Sequence, residues 1–362
     1  MLNIREIPIG SHERVIRATN DETGLDAFIA IHSTKLGPAL GGCRYHAYDN
    51  YDDQRMDALR LSKGMTYKSA LAGLHYGGGK STINAKTPKS AKLWKSFAEV
   101  LNHIGGAYYG AGDVGTTVTD LKQIHKHSQY LLGYVGQDSG IATAYGIYCS
   151  LKGLLRTLDN TKTAKFTNKT FSIVGLGKVG SRLVSFLSQQ PVKVYVTDVR
   201  KQAFNNLKRA LKQLNPHPDF ELIWCKTDKD IHDIATDVYM PCALGGIITQ
   251  DFIKDFKSKS ICGGANNQLH TTTDGDTLHD NGILYVPDYL ANAGGVIYIS
   301  AGHNISHDIT TASDIEWSDD MVKPKLEALE DKAFDILSIS KKENKPTVQV
   351  AKELVETKLK GL

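Results

Sequence analysis

Three observations predict an α/β chain of two domains, the second a doubly wound parallel sheet. At 362 residues the chain exceeds what one hydrophobic core usually organises. From about residue 137 short apolar runs alternate with amphipathic stretches, as in FSIV (171–174), VKVYV (192–196), DVYM (237–240) and ILYV (283–286). Such βαβ alternation implies parallel strands covered by helices. The first of these runs ends in a glycine-patterned turn that opens a helix.

The elements follow in order. Residues 1–136 form a separate α/β domain, with an extended apolar run DAFIAIH (26–32), a helix from about Asp53 to Ala72 and a glycine cluster after it. Residues 137–325 carry the alternating pattern, and 326–362 read as helices returning to the first domain. No internal repeat is visible.

Composition removes several classes. With 41% hydrophobic and 23% charged residues the chain is globular, and its +4 charge is spread rather than gathered into a nucleic-acid-binding stripe. No apolar run reaches membrane-spanning length and the charged N-terminus lacks a signal core, so a cytoplasmic location is expected. Cys43, Cys149, Cys225, Cys242 and Cys262 are far apart and read as buried free thiols. No H-E-x-x-H or C-x-x-C pattern points to a metal, His125 and His127 read as solvated, and GQDSG (136–140) is not a hydrolase elbow.

The strongest local signal is Gly175-Leu176-Gly177-Lys178-Val179-Gly180, which follows the strand ending at Val174 and opens a helix. Glycines there allow a tight turn and close approach of a pyrophosphate, which the helix N-terminus then holds. The next strand ends at Asp198, about twenty residues on, where a carboxylate binds ribose hydroxyls and repels a 2′-phosphate. NAD is therefore expected over NADP, with Arg200 as the opposing feature. In the plain structural alternative the glycines are a turn and Asp198 an exposed strand end.

The densest chemistry lies in LRLSKGMTYKSALAGLHYGGGKSTI (59–83). Lys63 reads as a solvated charge, whereas Met65 and Lys68 share a helix face. Lys80 follows Gly77-Gly78-Gly79, where missing side chains let a ligand press against the backbone. Two lysines converging on such a cleft suit a carboxylate partner and an easily deprotonated base. A phosphate loop ending in Gly79-Lys80-Ser81 is the rival; it fails on spacing, because Leu74 occupies its first glycine position, and on context, because Thr82-Ile83 look extended. Asp113 in YYGAGDVGT reads equally as a loop cap or a catalytic carboxylate.

Together these residues resemble the glutamate, leucine, phenylalanine and valine dehydrogenase family, and its leucine dehydrogenase branch most. The matching blocks are LGPALGG (36–42), DALRLSKGMTYK (57–68), GGGK (77–80), DVGTTV (113–118), TAYG (143–146), GLGKVG (175–180), PCALG (241–245), ANNQL (265–269) and PDYLANAGGVI (287–297). The resemblance implies a substrate domain, a hinge near 135–150, a Rossmann-type dinucleotide-binding domain, and NAD-dependent oxidative deamination of an L-amino acid to a 2-oxo acid and ammonium. By the same resemblance Lys68 holds the α-carboxylate with Gly42 and Asn267, Lys80 activates water, and Asp113 exchanges protons with the amine. Gly41 and Met65 fall in the substrate site. Thr143, Ala243, Asn266 and Asn292 serve the cofactor beside the glycine turn and Asp198. Leu40, Ala111, Val296 and Ile299 line the substrate side chain, which favours leucine, isoleucine and valine and disfavours glutamate and aromatic rings.

Departures from the usual pattern occur at Gly112, Cys43, Ser81-Thr82 and Lys86. The alternatives are an aromatic amino-acid dehydrogenase and a catalytically silent sensor of amino acid or nucleotide. A homo-oligomer is expected, a dimer rather than an octamer because the C-terminal tail reads as short, with no nucleic-acid or membrane partner.

Overall fold

A computed structural model describes residues 1–134, 138–301 and 322–362. They cluster into two compact units, one of residues 1–134 with 299–301 and 355–362, the other of 138–298 with 322–354. The domain boundary expected at 136–137 lies outside the described residues, as do residues 135–137 of the hinge expected near 135–150.

In the first unit β1 (Asn3–Glu6), β2 (Arg14–Asn20), β3 (Leu25–Ser33) and β4 (Ala39–His46) precede α1 (Tyr51–Ala72); β5 (Gly77–Asn84), α2 (Ala91–Ile104), β6 (Tyr108–Gly112) and α3 (Val118–His125) follow. The sheet order is β1-β2-β3-β5-β4-β6, antiparallel from β1 through β5 and parallel where β4 meets β5 and β6. Its two faces differ because successive side chains alternate. Ala39, Cys43 and Tyr108 face a core completed by Leu93, Phe97 and Leu101 of amphipathic α2. α1 covers β5 on the other face, where Gln54 donates to Thr82 O and Ser69 to Gly77 O. It begins at Asn50, whose side chain caps Asp53 N, and stops at Gly73 in the left-handed region (φ 70°).

The second unit opens with α4 (Ser139–Asp159), then β7 (Lys169–Val174), α5 (Gly180–Leu187), β8 (Val192–Thr197), α6 (Lys201–Leu211), β9 (Glu221–Trp224), α7 (Asp228–His232) and β10 (Val238–Pro241). α8 (Gln250–Lys254), β11 (Ser260–Ile261), α9 (Thr273–Asp280), β12 (Leu284–Tyr285), α10 (Asp288–Ala291), α11 (Gly294–Ala301), α12 (Lys323–Glu343) and α13 (Thr347–Lys360) complete the chain. Its sheet is wholly parallel, in the order β12-β11-β10-β7-β8-β9. This is the doubly wound topology the alternating pattern predicts, with strand order reversing beside β7. The four apolar runs fall on β7, β8, β10 and β12, and β9 and β11 lie outside them.

One expectation is corrected. Residues 326–362 do not return to the first unit as a block, and no boundary falls at 325, which lies inside α12. That helix packs along α4: a Cβ at Gly153 would stand 2.2 Å from Glu330 O, and Arg156 binds Asp331 at 2.6 Å. Only residues 355–362 belong with the first unit, where Lys358 Nζ donates to Ala70 O. Among the described residues no helix is long and apolar enough to cross a membrane. All five cysteines are free, and only Cys242 is partly exposed.

Candidate active site

Strand alternation gathers the charged site. Gly42 pairs in register with Ala111, and Leu40 with Tyr109 and Gly78, so Leu40, Gly42 and Arg44 of β4 share a face with Gly78 and Lys80 of β5 and Tyr109 and Ala111 of β6. Asp113 follows just beyond β6. Lys80 is buried, and its Nζ lies 2.9 Å from Asp113 Oδ2. Arg44 Nε donates to the same oxygen at 2.9 Å, while its Nη1 donates to Asp57 Oδ2 at 2.8 Å. Tyr48 donates to that Asp57 oxygen at 2.8 Å. The Asp113 backbone is tied down by Thr116, whose hydroxyl accepts from Asp113 N and donates to Cys43 O. Burial alone would raise the Asp113 carboxyl, but Lys80 and Arg44 outweigh it and hold the group below the usual carboxylate range.

The glycines divide by face. A Cβ on Gly42 would stand 2.6 Å from Asp113 Cβ and 3.0 Å from Lys80 Nζ, so Gly42 is the glycine that keeps the charged pair uncovered. The run before Lys80 is not the ligand cradle expected from sequence. A Cβ at Gly78 would meet Thr66 N of α1 at 2.1 Å, one at Gly79 the Tyr108 ring at 2.5 Å, and one at Gly77 the Ser33 carbonyl at 1.9 Å. Protein fills all three spaces, because β5 is wedged between α1 and the core. Gly41 likewise belongs to the core side, its carbonyl accepting from Tyr108 OH at 2.8 Å. The phosphate-loop reading ends here, since Gly79-Lys80-Ser81 runs along a strand.

Lys68 and Met65 are half-buried on α1. Lys68 and Asp57 are separated by close to three turns at about 3.6 residues per turn, so Lys68 lies on the flank of α1 that meets Arg44. Arg44, Asp57, Tyr48 and Tyr109 were not read from the sequence. The alternation Leu40, Gly42, Arg44 and the helical spacing of Asp57 to Lys68 carry the signal for the first two. His125, expected to be solvated, stacks on Tyr134 with ring centroids 3.6 Å apart, and its Nδ1 is buried.

The second unit holds the dinucleotide features. Gly175 adopts φ 97° beside Ala243, a conformation that a side chain would strain. A Cβ at Gly180 would lie 1.9 Å from Gly175 O, so the helix approaches the strand end closely, whereas one at Gly177 would meet nothing within 4 Å. That open position is where a pyrophosphate can reach the backbone at Leu176, Lys178 and Val179. Asp198 accepts from Leu176 N and Arg200 N, both at 2.8 Å, and Arg200 Nε approaches it at 3.4 Å. Burial would raise its carboxyl, but these hydrogen bonds, from Arg200 N and then Leu176 N, hold it low.

Asn292 donates to Asn266 Oδ1 at 2.9 Å, while its own buried Oδ1 takes no hydrogen bond from the described residues. A buried acceptor of this kind fits a carboxamide N–H such as nicotinamide carries. The start of α11 packs on α4, with Gly295 against the Thr143 hydroxyl. Asn267 is exposed, and its backbone N–H donates to Asp288. Val296 and Ile299 are half-buried and three apart on α11. Among the described residues no group of three or more His, Cys, Asp or Glu is placed to hold a metal ion.

A nicotinamide-dinucleotide fold and a buried lysine–carboxylate site together define an amino-acid dehydrogenase, and comparison with known proteins agrees. Residues 12–130 match the dimerisation domain of the Glu/Leu/Phe/Val dehydrogenases, and 135–359 match Glutamate/Leucine/Phenylalanine/Valine dehydrogenase. The chain belongs to this family, and NAD is its cofactor. It is 37% identical to a phenylalanine dehydrogenase of Caldalkalibacillus thermarum, over 97% of this chain and 92% of that one. It is 36% identical to the leucine dehydrogenase of Bacillus subtilis, with the same coverage of 97% and 92%. The crystal structure of an L-tryptophan dehydrogenase from Nostoc punctiforme superposes with a TM-score of 0.81 at 28% identity, covering 97% and 96% of the two chains.

Proposed function

We propose that the enzyme oxidatively deaminates branched-chain L-amino acids, leucine, isoleucine and valine, to 2-oxo acids and ammonium. The observation that carries this reading is the face of the first sheet on which Lys80 and Asp113, in contact, stand beside the apolar Leu40 and Ala111. Lys68 binds the substrate α-carboxylate. Asp113 takes a proton from the substrate ammonium, and Lys80 takes one from the water that adds to the iminium carbon. Their 2.9 Å contact is a path for one proton between them. Asp113 returns its proton to the carbinolamine nitrogen, then accepts the hydroxyl proton as the C–N bond breaks and hands it to the departing ammonia, which gives the 2-oxo acid and ammonium, while Lys80 releases the water's proton to solvent. NAD, when bound along Gly175–Gly180, Asp198, Ala243 and Asn292, supplies the hydride acceptor.

Leu40 and Ala111 offer a glutamate side chain no charged partner, and burying its carboxylate without one is costly. A branched aliphatic chain instead gains about 0.8 kcal/mol per buried CH₂. One observation favours a second reading: Tyr109 stands in register beside Leu40 on the same face, a ring against which an aromatic substrate can pack edge-on. A panel of kcat/KM values for leucine, valine, phenylalanine, tryptophan and glutamate, followed by NADH absorbance, separates the readings. Phenylalanine or tryptophan at the head overturns the first, and no absorbance with any amino acid favours the silent sensor. The dimerisation-domain match supports a dimer, which light scattering tests. Five free cysteines suit a reducing compartment, and on that ground the cytoplasm is proposed.

A further inference from the structure

Asp113 carries an asymmetry that its proposed proton role does not explain. Both cations that reach it, Lys80 and Arg44, bind the same oxygen, Oδ2, each at 2.9 Å. Oδ1 accepts no hydrogen bond from the described residues. Arg44 is itself held at its far end, since Nη1 donates to Asp57 Oδ2, which also accepts from Tyr48; the outer oxygen of Asp57 receives Arg60 at 3.3 Å. A guanidinium fixed between two carboxylates has little freedom, because its planar fork presents donors in set directions. An ammonium in its place reaches one of the two carboxylates but does not span both.

We propose that Arg44 is a positioning residue for the deamination: it clamps Asp113 through Oδ2, with Asp57 and Tyr48 as its anchor, so that Oδ1 is the oxygen that meets the substrate amine. The inference rests on the reading of Lys80 and Asp113 as the proton-handling pair. Around Asp113 stand Lys80 from β5 and Arg44 from β4, which favour its ionised form, and Tyr48 and Tyr108, which its charge opposes in ionising, while Asp57 and Arg60 of α1 lie behind Arg44. Of these, Arg44 and Lys80 are the positive groups in contact with the carboxylate, and Asp57 opposes them from behind Arg44.

The charge pattern gives the test opposite signs at two positions. In Arg44→Met, kcat should fall about ten- to hundredfold, part of the 10²- to 10⁴-fold due to proton transfer as a whole. The acid limb of the kcat/KM profile should move to higher pH, because Asp113 has lost one of the two cations that favour its ionised form. NADH binding, followed by its fluorescence, should change less than about twofold, a factor worth well under 1 kcal/mol. Arg44→Lys should recover part of kcat and return the limb. Asp57→Asn keeps the guanidinium and frees its far end, so kcat should fall while the acid limb stays or moves to lower pH.

A normal kcat with an unmoved limb in Arg44→Met overturns the proposal. So does a loss that Arg44→Lys leaves unrescued with the limb unmoved, which marks a structural role. If Arg44→Met does not fold, Arg44→Lys and Asp57→Asn carry the test, and an upward limb in Asp57→Asn refutes it. Asp113→Asn in the same assay keeps the two levels apart: full activity there sinks the underlying catalytic reading, whereas inactive Asp113→Asn beside unaffected Arg44 variants sinks this inference alone.

Discussion

The two units build their sites from opposite materials. In the second, the proposed cofactor site is backbone and absence: a positive-φ glycine, an open glycine position, a helix N-terminus and one carboxylate at a strand end. In the first, the proposed site is built of one buried lysine and half-buried charged side chains brought together from distant parts of the sheet and α1, each compensated by another. Backbone-built sites tolerate side-chain exchange so long as the glycines remain. A charge-built site fails when one member is removed, because the partner left behind is buried and unpaired. The lesson is that the first unit should be fragile in chemistry and the second in geometry.

The largest effect expected from this contrast is at Lys80. Lys80→Ala should lower kcat by about 10²- to 10⁴-fold with NADH affinity nearly unchanged. A variant with near-normal turnover would break the contrast outright. Lys68→Ala should instead mainly raise KM, since a carboxylate partner acts in ground and transition states alike.

Cofactor choice comes next in size. A 2′-phosphate would meet the Asp198 carboxylate, but Arg200 at 3.4 Å offsets part of that repulsion. NAD should therefore exceed NADP in kcat/KM by roughly ten- to hundredfold, or about 1.4–2.8 kcal/mol. Equal values would show that Asp198 does not face the ribose. A smaller effect is expected at Leu40, where Leu40→Gly should improve phenylalanine relative to leucine by about tenfold, the scale of relieved overpacking. If phenylalanine already leads in the parent, Tyr109 rather than Leu40 governs the side chain.

The smallest effect concerns pH and belongs to the first unit alone. Burial, helped by His12 and Lys63, pushes the His32 imidazole down to about 4. The unfolded chain takes up that proton near pH 6.5, as free histidine does. Stability from His32 is therefore complete above about pH 6.5 and is lost as pH falls toward 4. Tm should drop by a few degrees between pH 7 and 5, and His32→Gln should flatten that slope. Depressed carboxylates occur in both units, Asp113 and Asp198 among them, and their loss comes only at lower pH.

What could be read from the sequence follows the same division. The dinucleotide turn is contiguous, so strand, glycines and helix appear together in GLGKVG, and Asp198 follows at a fixed offset. The charged cluster is dispersed over residues 44, 57, 80 and 113, and only register brings them together. Lys80 stood out because glycines precede it, yet those glycines serve packing against α1 and Tyr108. The contact of Lys80 with Asp113, 2.9 Å away, leaves no trace in that glycine run. Arg44 escaped because an arginine near the end of a strand has a bland reading as a solvated side chain. α12 was legible as a helix, but its amphipathic pattern says nothing of which surface it covers, and α4 proved to be that surface.

Gly42 gives the cluster an unusual mutational fragility. Every glycine codon becomes an alanine codon by one base change, and the methyl so added would point at Asp113 and Lys80, away from the α2 core. The crowding falls first on Asp113 Cβ, at 2.6 Å, and then on Lys80 Nζ and the Gly112 carbonyl at the end of β6, both at 3.0 Å. A descendant carrying that change would retain its dinucleotide turn and a nearly intact fold while losing the proton pair's working geometry. For this architecture, the step from enzyme to ligand-binding relative is a single carbon atom.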